Sequence, residues 1–413
     1  MTPTSAAPGK VAPGRVVNRA GLRLPRHHYH KVVVGGGLLG LACACYLRRA
    51  LPQETLLVVE GDGIPSEGGA SYVSPGLAHR AFGDEGLRRR AAWAIGVLAD
   101  LVAETGIERT HDRAFRPVGW ARLGREVEEV VGLESLTVGA WLSGRPVAER
   151  GNPAALLNLA EASHVLFDPQ GGYGSAEAAA LSFGHGAVGL GADLLINGRA
   201  GLVSAGEIQV ERLEFNRAMR REVVKTERVT ADAVVIAAGV GTAALIEEGV
   251  GVTLPLRKSY NQYPRLEASP QLTLTEGRVA LPVVEHLGFS LRTQGEGVMV
   301  VPPPLPPDPE GYQPRGGQLV GVRVGLRREL LEELMERLES MPFLAWETLN
   351  LGKTASGVRG AWDVHTPSGL PEFFEVRPGL YALAGGREGL TLGLAAALDL
   401  AGKVANQPER PWQ

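Results

Sequence analysis

Apolar positions in this chain gather into short continuous runs separated by longer stretches of helical spacing. That is the pattern of strands buried on both faces with helices laid over them. The first run, Lys31-Val32-Val33-Val34, reads as a short buried strand and leads directly into Gly35-Gly36-Gly37-Leu38-Leu39-Gly40. The spacing predicts a helix from Leu38 to Arg49, with Arg48 and Arg49 where cations suit the helix dipole and Pro52 preventing continuation. Thr55-Leu56-Leu57-Val58-Val59 reads as a second strand, which ends on Glu60. Ala176 to Ala192 suits a helix of small residues leading to the strand Leu194-Leu195-Ile196, and Ala231 to Gly239 repeats the strand-to-glycine pattern before a helix at Thr242 to Glu248. Near the C-terminus, Gly379 to Ala384 reads as a strand, Gly385 to Gly389 as a turn and Leu390 to Val404 as an Ala/Leu helix.

Two stretches read differently. In 78–155 and 251–345, segments such as Gly297 to Val301 and Gln318 to Val322 predict an antiparallel sheet, assigned to a second domain. Pro302 to Pro314 is a proline-rich loop. Arg328 to Met341 carries Leu330, Leu331, Leu334, Met335 and Leu338 at helical spacing, a stripe assigned to packing on its own sheet. Residues 1–30 read as a flexible arm and 406–413 as a tail. The cluster His27-His28-Tyr29-His30 has no cysteine or carboxylate company and is assigned to that polar arm; no metal site is expected.

The strand, glycine turn, helix, strand and acid form one unit with a physical reading. Gly35 permits the tight turn, Gly37 lets the backbone approach a pyrophosphate, and Gly40 lets the helix pack closely on the sheet. The helix N-terminus then faces the phosphates, while Glu60 accepts the hydroxyls of an adenosine ribose and disfavours a ribose 2′-phosphate. A net charge of -3 provides no field for a polyanion, so nucleic acid is not an expected partner. The two cysteines, Cys43 and Cys45, exclude a disulfide scaffold and suit a reducing cytoplasm. The longest uncharged stretch, Val32 to Leu47, is too short and too interrupted by glycine to span a bilayer.

After Glu60 the chain gives Gly68-Gly69-Ala70-Ser71-Tyr72-Val73-Ser74-Pro75-Gly76-Leu77. This resembles the small-residue loop of the FAD-dependent D-amino-acid oxidase and glycine oxidase superfamily. The strand Ala231 to Gly239 and the C-terminal series Gly357-Val358-Arg359, Ser368-Gly369-Leu370-Pro371, Leu380-Tyr381 and Gly385 to Leu392 are similar to that family's marks, in the right order over residues 31–405. The resemblance implies a mixed α/β fold with an α+β second domain. Its FAD-binding Rossmann domain would be of the glutathione-reductase type, assembled from 31–77, 156–250 and 346–405, with an antiparallel-sheet substrate domain roofing the flavin.

It further implies non-covalent FAD held by Gly35, Gly36, Gly37, Leu38, Leu39, Gly40, Glu60, Gly61, Ala70, Ser71, Gly76, Leu77, Ala238, Gly239, Arg387, Gly389, Leu390 and Thr391. The last helix would aim its N-terminus at the flavin pyrimidine, where charge accumulates on reduction. Arg359 matches the arginine that clamps a substrate carboxylate. The implied activity is oxidation of the C–N bond of a small amino acid or amine by hydride transfer to flavin N5, the imine then being hydrolysed, with oxygen as acceptor. Alternatives are a flavin dehydrogenase passing electrons to a quinone or partner protein, and a non-catalytic FAD-binding scaffold. Three residues depart from the family pattern: Gly360 replaces a proline, Ser368 an aspartate, and Met299 stands where glycine oxidases place a substrate-binding tyrosine. Tyr260 and Tyr263 are the candidates to supply the missing hydroxyl, against their alternative as ordinary sheet aromatics. The family lysine of secondary-amine oxidation is missing from Gln318-Leu319-Val320. Self-association into a homo-oligomer is left open.

Overall fold

The computed structural model describes residues 12–106, 115–143, 162–267, 282–286, 288–294, 297–303, 305–319, 322–338, 358–410 and 412. Among them, the central sheet runs in the order Val16–Val17, Asp193–Ile196, Leu56–Glu60, His28–Val34, Arg221–Ile236, Glu207–Phe215 and Gly198–Ser204. The pairings from Val16–Val17 to Arg221–Ile236 are parallel, and the last two strands form an antiparallel meander with the first half of Arg221–Ile236. That long strand divides its partners. Its apolar second half, Ala233 to Ile236, is buried between His28–Val34 and Leu380–Ala384, while its charged first half is mostly exposed, with Glu227 buried against Arg212 (3.2 Å). Three helices, Leu38–Ala50, Ala176–Gly189 and Leu392–Val404, cover one face, and their small residues permit close packing around Leu41, Phe183 and Leu394. Both cysteines are buried in this core. The fold is thus the mixed α/β, glutathione-reductase-type arrangement that the pattern and the resemblance imply.

A second sheet runs in the order Arg265–Glu267, Gly297–Val301, Phe289–Gln294, Val283–His286, Trp120–Gly124, His164–Asp168 and Glu134–Thr137. Its pairings are antiparallel except that between Val283–His286 and Trp120–Gly124. Strand alternation splits it cleanly. Ala121, Leu123, Val165, Phe167, Leu291 and Val300 form a core with Leu330, Leu331 and Leu334 of the helix Arg328–Leu338, while Trp120, Arg292, Met299 and Val301 take the opposite face. Leu330, Leu331 and Leu334 of the stripe therefore pack as expected, although Met335 is exposed.

Several expectations are corrected. Residues 12–30 are docked: Val16–Val17 extends the parallel sheet, Val17 and Leu24 are buried, and buried Asp193 accepts hydrogen bonds from the Arg15 amide (2.8 Å) and the Tyr29 hydroxyl (3.0 Å). Pairing the edge satisfies backbone groups that a loose arm would leave open. His28 and His30 belong to a strand, with ring nitrogens 3.0 Å from the Thr230 and Thr55 hydroxyls. In the expected tail, Trp412 packs edge-on against Trp93 with ring centres 5.4 Å apart. Strand His164–Asp168, expected in the FAD-binding part, pairs into the second sheet. Helix Glu85–Ala99, expected in the substrate domain, buries Ala94, Ile95 and Leu98 in the first core. The boundaries at 155/156 and 345/346, with Gly357, Val320 and Met341, lie outside the described residues. Among those described, no helix is long and apolar enough to cross a membrane.

Candidate active site

The glycine turn is shaped by contacts that exclude side chains. Gly35 takes φ +118°, donates its N–H to the Val59 carbonyl at 2.9 Å, and leaves only 2.2 Å between the Ala237 carbonyl oxygen and the place a Cβ would occupy. A Cβ on Gly40 would lie 2.1 Å from the Gly35 carbonyl oxygen, so this glycine sets how closely the helix meets the turn. The Leu38 N–H at the helix start donates to Ser71 Oγ (3.0 Å), tying the small-residue loop to the helix N-terminus. Glu60 accepts the Gly36 N–H (2.5 Å) and the Asp62 N–H (2.9 Å); burial nonetheless pushes its pKa above the ordinary carboxylate value.

From this turn a cavity of about 980 Å³ extends to the loop before the last helix. Of the sequence candidates, Gly35, Gly37, Leu38, Leu39, Glu60, Gly61, Ala70, Ser71, Leu77, Ala238, Gly239, Arg387, Gly389 and Leu390 line it. The other four do not. Gly36 gives its amide to Glu60, Gly40 packs on Gly35, Gly76 closes a backbone contact with Gly174 at φ +67°, and Thr391 is fully buried at the helix start. A cavity lined by the glycine turn, by the Glu60 carboxylate and by the loop before the last helix fits an adenine dinucleotide.

The roof is a two-stranded antiparallel ladder, Arg257–Tyr263 against Arg359–His365. Period-two alternation places Ser259, Asn261 and Tyr263 on one face with their cross-strand partners Asp363, Ala361 and Arg359. Asn261, Tyr263, Ala361, Asp363 and His365 line the cavity, and so do Trp362 and Val364 between them in the second strand. Arg359 shares this face at the far end of the ladder, opposite Tyr263. It is exposed, its guanidinium 5.3 Å above the Tyr72 ring, and it is not among the lining residues. Tyr260 points the other way. It packs edge-on against Trp362 at 5.4 Å and gives its N–H to Asp308 (2.7 Å), so the expectation that it faces substrate gives way to an anchoring position. Its hydroxyl would lie 2.6 Å from a Cβ at position 360, which explains why that site holds glycine. Gln262 and the buried Arg327–Asp308 ion pair (2.8 Å) anchor the same outer face. Ser368 keeps its turn by accepting the Leu370 N–H at 3.1 Å.

Two groups escape sequence reasoning. On the cavity side of the roof, Ser259 Oγ lies 2.6 Å from His365 Nε2 and donates to Asn261 at 3.2 Å, while burial raises the pKa of Asp363. The alternation Ser259, Asn261, Tyr263 was the available signal; the partner strand more than a hundred residues on was not. In the loop before the last helix, burial opposes ionisation of Glu388. The nearby His79 (3.7 Å) and Arg387 outweigh it and hold the carboxyl below its ordinary value. His79 is itself stacked between Phe82 and Trp120, with ring centres 5.0 and 4.4 Å away.

The model of the DAO family, described as FAD dependent oxidoreductase, matches residues 31–402. No curated protein gives a significant match. Among solved structures, glycine oxidase from Geobacillus kaustophilus superposes with a TM-score of 0.63 at 20% identity, covering 93% of this chain and 96% of that one. L-proline dehydrogenase from P. horikoshii gives 0.67 at 18% identity, with 92% and 94% covered. Iminodiacetate oxidase from Chelativorans sp. BNC1 gives 0.63 at 19% identity, with 92% and 96% covered.

Proposed function

The chain belongs to the DAO family of FAD-dependent oxidoreductases, and on that premise we propose that it oxidises the C–N bond of an amino acid or amine, with oxygen as electron acceptor. The observation that carries this reading is the roof. One ladder face sets a hydroxyl, an amide and a carboxyl over the cavity whose far end is the glycine cradle, with a guanidinium on the same face. When bound, FAD supplies the two-electron acceptor for a hydride leaving the substrate α carbon, and water hydrolyses the resulting imine.

The chain's own groups do the positioning. Arg359 offers a planar fork to a substrate carboxylate, and Tyr72 beneath it limits where that fork can turn. Asp363 addresses the other end of an amino acid. An ammonium group must lose a proton before hydride can leave its carbon, and a carboxylate whose pKa is raised by burial is a better proton acceptor than an ordinary one. The Asn261–Ala361 pair lies between them on the same face, and Tyr263 sits directly across from Arg359.

The test is anaerobic bleaching of the bound flavin across a panel of amino acids and amines, in the native protein and in Arg359→Ala. Weaker apparent binding of carboxylate-bearing compounds alone supports the clamp, whereas unchanged binding removes it. Reoxidation of the bleached enzyme by oxygen, compared with reoxidation by a dye, tests the acceptor. A flavin that stays oxidised with every compound refutes the activity.

A further inference from the structure

The loop before the last helix holds a buried acid that the proposed reaction does not use. Glu388 lines the cavity together with Arg387, Gly389 and Leu390. Two contacts place this wall. A Cβ on Gly386 would lie 3.7 Å from the Val364 carbonyl oxygen of the roof, and one on Gly385 would lie 3.1 Å from Leu39 at the start of the first helix. The loop therefore bridges the glycine turn and the roof. Glu60 and Gly61 lie instead beside the strand Gly198–Ser204, where a Cβ on Gly61 would be 4.0 Å from the Arg199 Cα. An acid at that strand end takes the adenosine ribose, which leaves the roof and the wall carrying Glu388 to the flavin half of FAD.

His79 decides how much charge this wall carries. Its ring is fixed between Phe82 and Trp120, and its Nδ1 accepts the Ala81 N–H at 3.1 Å. A ring nitrogen that accepts a hydrogen bond cannot also hold a proton. The single ring proton therefore sits on Nε2, which faces Glu388 Oε1 at 3.7 Å, so the imidazole is neutral and the pair keeps the charge of its carboxylate. The Thr391 hydroxyl, 3.5 Å from Oε2, ties that carboxylate to the start of the helix Leu392–Val404. The Glu388 side chain is only 13% exposed. Arg387 beside it is exposed, so water weakens the opposite field it contributes.

Reduction of FAD by hydride takes up two electrons and one proton and leaves one negative charge on the ring system. A fixed carboxylate in the cavity wall repels that charge, more strongly in a buried site than in water. We propose that Glu388, left negative by a neutral His79, is a potential-setting residue that lowers the reduction potential of the bound flavin. A lower potential makes the flavin harder for a substrate to reduce and a stronger reductant toward its acceptor. FAD in this cavity is the premise; the identity of the substrate does not enter.

The experiment uses the FAD-loaded protein without substrate. Its midpoint potential is measured at neutral pH by slow reduction against a reference dye, in the native protein and in each variant. Glu388→Gln should favour reduction about tenfold, a rise of about 30 mV for a two-electron couple. Glu388→Asp keeps the charge and should stay within about twofold of native, whereas a merely structural role would move both variants alike. His79→Gln exchanges one neutral donor for another and should also stay within about twofold. Glu211, a cavity-lining carboxylate bonded to Arg199 (2.7 Å) on the ribose side, is the control for distance, and Glu211→Gln should leave the potential unchanged. Arg387→Gln removes the opposite charge from the same loop and should disfavour reduction about threefold, so the loop is read even where a Glu388 variant loads no FAD. An unchanged potential in Glu388→Gln or in Arg387→Gln overturns the assignment, as do equal shifts in the Gln and Asp variants. A fall in His79→Gln reveals a cationic imidazole and overturns it too. Bleaching by the amino-acid and amine panel is read separately: a flavin that none of them reduces refutes the proposed reaction and leaves the potential shift standing.

Discussion

Gly40→Ala adds one methyl group inside the first helix, and the structure fixes what it meets. The new Cβ lies 2.1 Å from the Gly35 carbonyl oxygen, so the helix must retreat by roughly 1 Å to restore ordinary contact. Gly35 cannot yield instead, because its N–H is bonded to Val59 and its other side abuts the Ala237 carbonyl. Overpacking of this kind costs about 1–3 kcal/mol, against about 1 kcal/mol gained from the better helix propensity of alanine. The larger effect falls on FAD. Moving the helix start by roughly 1 Å misaims amides whose bonds to a charged phosphate are each worth about 1.5–3 kcal/mol, so FAD affinity should fall about 10- to 100-fold. The control is Gly96→Ala, in the helix Glu85–Ala99, where nothing lies within 4 Å of the added methyl; it should gain up to about 1 kcal/mol and leave FAD binding unchanged. Fluorescence titration of the apoprotein measures the affinity, and chemical unfolding the stability. A Gly40→Ala protein that binds FAD as tightly as the native one refutes the role given to this contact.

Other outcomes follow from the roof and its supports. Because burial raises the Asp363 pKa, the acid limb of a kcat/KM profile should lie above the ordinary carboxylate range, and Asp363→Asn should abolish that limb; an unmoved limb assigns it elsewhere. The Glu388 carboxyl is held below its ordinary value, so its contribution to stability is present above the unfolded carboxylate pKa and is lost as pH falls through the folded one. Denaturant titrations should find Glu388→Gln about 1–3 kcal/mol less stable at neutral pH, with the gap closing in acid. Asp308→Ala leaves the buried Arg327 guanidinium without this partner and frees the Tyr260 amide; the expected loss is about 3–5 kcal/mol in chemical unfolding, with KM rising as the ladder loosens.

Much of the first half of this architecture was legible because its signals are local. Strand, turn and helix of the glycine unit are contiguous, and Gly35, Gly40 and Glu60 occupy positions whose constraints come from residues within one βαβ unit or its immediate neighbour. The docking of residues 12–30 was not legible, since Val16–Val17 is two residues long and gains its place from distant residues, Leu194–Leu195 at the open sheet edge and Asp193 beside them. Domain assignment failed at His164–Asp168 and Glu85–Ala99 for a related reason. Apolar spacing shows that a segment buries one face, but the partner for that face is a tertiary fact.

The substrate end poses the harder problem, because its chemistry arises from pairs of distant strands. Tyr260 and Tyr263 are three residues apart, and in a strand an odd separation puts them on opposite faces. Alternation alone therefore excludes their acting together, but only the pairing with Arg359–His365 decides which one faces the cavity. Gly360 illustrates the converse. Taken singly it looks like decay of a substrate clamp, yet it is the space that Tyr260 requires on the outer face, and that packing steadies the strand carrying Arg359 and Asp363. The departure thus marks a different way of fastening the roof, and it carries no argument that the clamp is lost.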